Sequence, residues 1–84
     1  MNTPVKPFKE GSLSETTEDA VEDYLNKLAE QDSMNLYRQV IDDVELPLLK
    51  AIMKHTRGNQ SRAANCLGVN RATLRSKLKR HGLL

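Results

Sequence analysis

Tryptophan is absent, and only three aromatics, Phe8, Tyr24 and Tyr37, occur among the 84 residues. That excludes a large aromatic core and an aromatic platform of the kind that stacks single-stranded bases. The core has to come from Leu, Ile, Val, Met and Ala. Cys66 is the single cysteine, so there is no internal disulfide, and with His55 and His81 as its only nitrogen companions it cannot complete a usual zinc set. It reads as a small buried apolar residue, and neither metal nor cofactor is expected. No apolar run approaches the roughly 20 residues of a membrane span, and no charged-then-apolar leader follows Met1, which reads as a cytoplasmic protein with no membrane partner. There is also no carboxylate pair beside a catalytic histidine, no glycine-rich phosphate loop and no nucleophile with a base. The chain is not expected to be an enzyme or to hold a small-molecule ligand.

The most informative absence is that of acid in the second half. Residues 1 to 45 carry four basic against 11 acidic groups, a net of −7, whereas residues 46 to 84 carry nine basic groups and no acid, a net of +9. A cationic surface with no carboxylate to neutralise it attracts a polyanion through counterion release, so nucleic acid or anionic lipid is implied.

Residues 1 to 16 hold two of the three prolines and a polar cluster from Gly11 to Thr16 without period, which predicts a flexible arm. Thr16 or Thr17, followed by Glu18 and Asp19, suits a helix start, because the side-chain oxygen accepts from a free backbone amide and the acids face the positive helix end. Val21, Leu25 and Leu28, with Tyr24 alongside, then share one stripe and predict a first helix over about 17–30. Asp32 or Ser33 offers the next cap.

A longer stripe follows in Leu36, Tyr37, Val40, Ile41, Val44, Leu48, Leu49, Ile52 and Met53, predicting a helix over about 35–56. Pro47 lies inside it and removes a backbone donor at a cost near ~3 kcal/mol. The stripe nevertheless keeps phase across the proline, four residues from Val44 to Leu48 and seven from Ile41 to Leu48. One helix kinked at Pro47 is expected, against the alternative of a break at Leu46. Its apolar arc is wider than the first helix can cover, and an 84-residue chain with 38% apolar content leaves apolar surface wet as a monomer. A homodimer with a four-helix core built on Val40, Ile41, Val44, Leu48, Leu49 and Ile52 follows as the expectation.

Thr56-Arg57-Gly58-Asn59 is a compact stop and restart, with Gly58 suited to a left-handed backbone and Asn59 to the next cap. Two helices crossing through a short turn need a small residue at closest approach, a glycine where the chain reverses and apolar anchors on the inner faces. Ala64, Gly68, and Val69, Leu74 and Leu78 supply them, with Ala63 and Leu67 opposite. Residues 57–84 therefore read as a helix-turn-helix. Asn70 caps its second helix, whose outward positions are Arg71, Thr73, Arg75, Ser76, Lys77, Lys79 and Arg80.

Such a helix presents its first turns to base edges in the major groove and holds phosphates with its flanks. Arg71 and Arg75 match the bidentate recognition of guanine O6 and N7. Asn59 and Ser61, at the start of the first helix of the motif, match a phosphate. Asn70 stands open between cap and contact.

These stretches resemble the Fis family of bacterial nucleoid proteins (factor for inversion stimulation). The match runs without a gap from about 19 to 82, through Gln31-Asp32, Asn35-Leu36-Tyr37, Val44-Glu45, Pro47-Leu48-Leu49, Thr56-Arg57-Gly58-Asn59-Gln60, Arg62-Ala63-Ala64, Asn70-Arg71, Thr73-Leu74-Arg75 and Lys77-Leu78-Lys79. The second half of that set is shared with the terminal DNA-binding modules of enhancer-binding activators; the first half and the short length are similar to Fis. The resemblance implies an all-α fold of four helices per chain, intertwined as a dimer, with a helix-turn-helix on each subunit. It also implies double-stranded DNA as partner, bending of the duplex, transcription regulation and chromosome organisation, protein partners such as RNA polymerase, an accessory role in site-specific recombination, and a nucleoid location.

By the same resemblance Arg57, Asn59, Asn70, Arg71, Thr73, Arg75, Lys77, Lys79 and Arg80 are DNA-contacting positions. Ser61 stands where the best-known member has threonine, which keeps the hydroxyl, and Ser76 where it has lysine, which removes a cation. Invertase activation is not carried over, because the mobile hairpin it uses before the first helix has no counterpart motif here. Two other readings compete with this one. The first is the output module of an enhancer-binding activator, against which the start at Met1 speaks. The second is a helical adaptor whose acidic half binds a basic protein.

Overall fold

In a computed structural model the chain is all-α, with the order α1 (Ser12–Leu28), α2 (Leu36–His55), α3 (Gln60–Leu67) and α4 (Arg71–Arg80). The structure describes residues 8, 9, 11–28 and 35–84. It divides into two units, Met1–Leu36 and Tyr37–Leu84.

In the first unit, α1 begins at Ser12 instead of 17, inside the expected flexible arm. Gly11, at φ +80°, is the residue before the helix, and its carbonyl accepts the Glu15 amide at 2.8 Å. The two threonines expected to cap are interior residues. Thr16 Oγ1 donates to the Ser12 carbonyl and Thr17 Oγ1 to the Leu13 carbonyl, each at 2.8 Å. A hydroxyl that bonds the carbonyl four residues back no longer competes with the helix, which is why the polar start is tolerated. Asp23 and Lys27 pair across one turn at 2.9 Å. No residue of α1 is fully buried. The expected end at 30 and the caps at Asp32 and Ser33 lie outside the described residues.

In the second unit, α2 runs unbroken through Pro47, so the alternative break at Leu46 does not occur. Position 47 has no amide to offer the Asp43 carbonyl, but the turns on either side hold the helix. Leu49, Ala63, Ala64, Leu74 and Leu78 form the buried core, with Ile52, Met53, Leu67, Val69 and Leu83 packed against it. Each helix of the motif thus contributes the residues that its spacing assigned inward. Leu49, expected at a dimer interface, is 1% exposed within its own chain. Cys66 is exposed, contrary to expectation: Ala63, Ala64 and Leu67 define the inner arc of α3, and position 66 is turned out of it by about 100° per residue.

The three helices of this unit end in the same way. At α2 the Gly58 amide reaches the Met53 carbonyl at 2.9 Å and the Arg57 amide reaches Lys54 at 3.2 Å. At α3 the Val69 and Gly68 amides reach Ala64 and Asn65, and at α4 the Leu83 and Gly82 amides reach Leu78 and Lys79. This double closure needs a left-handed residue just past the helix. Gly68 (φ +74°) and Gly82 supply it cheaply, but at α2 the residue is Arg57, at φ +54°, with Gly58 following at φ +82°. The buried Thr56 hydroxyl is satisfied by the Ile52 carbonyl at 2.9 Å.

Candidate nucleic-acid interface

Both asparagines of the motif are caps. The Arg62 amide donates to Asn59 Oδ1 at 3.0 Å, and the Ala72 amide donates to Asn70 Oδ1 at 2.7 Å. The carboxamide oxygen is thus used locally, and its NH₂ end is the donor a phosphate takes. Capping and contact are therefore compatible at both positions, and the cap fixes where that donor sits.

From Asn70 the recognition helix rises with Leu74 and Leu78 sealed inward and Arg71, Thr73, Arg75 and Ser76 exposed. Among the described residues, no carboxylate lies within ion-pair distance of Arg57, Arg62, Arg71, Arg75 or Lys79. Arg57, Asn59 and Ser61 are likewise exposed, around the start of α3. Arg62, also exposed there, is a cation that sequence reasoning left out of the site; the signal was its place in the first turn of α3.

The far end of α4 differs. Lys77 Nζ lies 2.9 Å from Glu45 Oε2 and His81 Nε2 lies 2.8 Å from Glu45 Oε1. Arg80 pairs with Asp42 and stands 3.9 Å from Glu45. Asp42 is also approached at 3.8 Å by Arg38, one turn earlier on α2. Lys77 and Arg80 were expected to meet DNA, yet they are tied to α2. The basic half is therefore not free of carboxylates, since two acids from α2 fold onto it.

The hydrogen bond from Lys77 is the main cause holding the Glu45 carboxyl below its ordinary value of 4.5. Burial works against it, and His81 adds to it. Asp42, Glu45 and His81 present ligand atoms within 4.8 Å of one another. Lys77 and Arg80 already supply the positive charge there, and a metal ion would have to displace both.

Against known proteins, the family model described as "Bacterial regulatory protein, Fis family" matches residues 40–81, the stretch that spans most of α2 and all of the helix-turn-helix. The DNA-binding protein Fis of Glaesserella parasuis serovar 5 (strain SH0165) is 51% identical over 71 residues, 84% of this chain and 72% of that relative. The chain belongs to the Fis family of bacterial regulatory proteins. The family match starts inside α2, so the carboxylates at Asp42 and Glu45 and their partners on α4 lie in the segment the family defines. No helix among the described residues is long and apolar enough to cross a membrane.

Proposed function

We propose that the chain is a homodimeric, nucleoid-associated regulator that binds and bends double-stranded DNA, acting in transcription and chromosome organisation and without chemistry of its own. The observation that carries this is the exposed, acid-free first half of α4, where Arg71, Thr73 and Arg75 stand on a helix fixed from behind by Leu74 and Leu78. A rigid helix with arginines one turn apart suits base edges of the major groove. Arg57, Asn59, Ser61, Asn70 and Lys79 flank it as phosphate contacts. A relative of this likeness bears the name DNA-binding protein, which supports the same reading.

The dimer rests on apolar surface left uncovered. Tyr37, Ile41, Val44 and Leu48, spaced four, three and four, are exposed along α2, and Leu13, Tyr24 and Leu25 are exposed on α1. A soluble chain buries such stripes, and a second copy brings the same stripes to them. Pro47 is the point at which α2 bends in this assembly. Two recognition helices on one rigid body set a fixed spacing along the duplex, so deformable sequence between them contributes to specificity. RNA polymerase as protein partner and an accessory role in site-specific recombination extend this reading, as does a location on the nucleoid in the cytoplasm.

Duplex binding measured against salt tests it. Affinity should fall steeply as salt rises, and Arg75→Ala should weaken binding and flatten base preference. Salt-independent, weak binding that ignores the substitution would favour a helical adaptor instead.

A further inference from the structure

The recognition helix is electrostatically divided. Its first half carries exposed cations with no carboxylate within ion-pair distance among the described residues, whereas Lys77 and Arg80 of its last turn, and the His81 that follows it, meet Glu45 and Asp42. Glu45 and His81 are deep in this contact, with side chains 14% and 8% exposed, while Asp42, Arg80 and Lys77 stay about one-third open to solvent. The inner pair is built as a strut between α2 and α4. The outer pair, Asp42 with Arg80, faces solvent on one side. It sets one carboxylate oxygen of Asp42 against Arg80 Nη2, the place a phosphate oxygen would otherwise take.

We infer that Asp42 restrains the strength of DNA binding: it acts as an internal stand-in for phosphate, holding Arg80 away from the DNA backbone and so lowering sequence-independent affinity. This rests on the proposed DNA-binding function. A free Arg80 would add one phosphate contact per subunit and strengthen binding to every sequence alike, since backbone contacts carry no base information. With Arg80 engaged by Asp42, affinity for every sequence is lowered by the same factor, and the exposed arginines at the start of α4 supply a larger share of the binding energy that remains. Glu45 holds Lys77 by the same chemistry, but its burial makes it primarily a positioning residue for the helix.

The experiment uses the full chain, a preferred duplex and a random-sequence duplex, each titrated across a range of salt. Asp42→Asn keeps the shape and removes the charge, and Asp42→Ala is the second variant. Both should steepen the slope of log affinity against log salt by about 0.9 per released contact. On random duplex, the gain over the unmodified chain should widen about threefold per released contact, and so about tenfold for a dimer that releases two, between roughly 200 and 50 mM salt. Adding Arg80→Gln to Asp42→Asn should cancel the gain. Asp23→Asn, which removes the same charge from the exposed pair on α1, should leave the slope unchanged.

Slopes for both Asp42 variants equal to that of the unmodified chain would overturn the inference while leaving DNA binding intact. So would an equal gain from Asp23→Asn, since it would show that only total charge matters. Binding by the unmodified chain that ignores salt would overturn the proposed function as well.

Discussion

Two faces of α2, one residue apart along the chain, have opposite fates. Asp42, Glu45, Leu49, Ile52 and Thr56 face the helix-turn-helix, where Leu49 and Thr56 are sealed and the two acids meet cations of α4. Tyr37, Ile41, Val44 and Leu48 follow the same three-and-four spacing about 100° away and remain exposed, Tyr37 at 81%. The first face shows what a helix does when its partner lies in its own chain: apolar groups are buried and charges are paired. The second carries the apolar pattern without the partner, which is what an interface with another molecule requires. One helix thereby carries both the face that packs the helix-turn-helix and an exposed apolar stripe.

The inner face should break most severely. Leu74→Ala, in the core against Leu49, should cost about 2–5 kcal/mol, enough to unfold the helix-turn-helix in a thermal melt. On the outer face, Val44→Asp should abolish self-association, because an unpaired carboxylate is costly to bury. Its expected signature is loss of the larger species on a sizing column together with loss of helicity or aggregation, whereas an unchanged elution volume would remove Val44 from the interface.

Glu45→Gln sharpens the charged part of the inner face. It should cost about 1.5–3 kcal/mol at neutral pH, the range for a hydrogen bond to a charged group. Because folding lowers the Glu45 pKa, the carboxylate stabilises the native chain above the ordinary value of 4.5, and that contribution is lost as pH falls below it through the folded pKa. Melting temperatures of the two chains should therefore converge in acid. A constant gap across that range would assign the stability elsewhere.

The smallest effect concerns Arg57, held in the left-handed region at φ +54°. Glycine removes a penalty of roughly 1–2 kcal/mol for an L residue there, offset in part by the greater freedom of the unfolded chain. Arg57→Gly should melt slightly higher and bind DNA more weakly. Higher stability with unchanged binding would show that the strained arginine does not touch DNA.

The helix-turn-helix was legible because its demands are local. Ala63, Ala64, Leu67, Gly68, Val69, Leu74 and Leu78 each answer a steric requirement within about one turn, and each sits where its spacing placed it. The start of α1 was not, because Ser and Thr look like turn residues until their hydroxyls are seen bonding four residues back. The Asp42–Arg80 and Glu45–Lys77 pairs were hidden by distance, Glu45 and Lys77 being 32 positions apart in sequence. The available signal was the phase of Asp42 and Glu45 with Leu49 and Ile52, which puts both acids on the core-facing stripe. The fate of Leu49 followed the same logic: the apolar arc of α2 includes a stripe buried within the chain and a stripe left exposed, and sequence periodicity alone does not divide it between them.

The division of α2 into an inner and an outer face is tested most directly by the mass of the full chain in solution. Sedimentation equilibrium at micromolar concentration should give twice the 9.5 kDa of one chain, and Leu48→Asp should remove that species. A homogeneous, fully helical monomer of 9.5 kDa would contradict the account, because the exposed stripe of α2 would then have no partner.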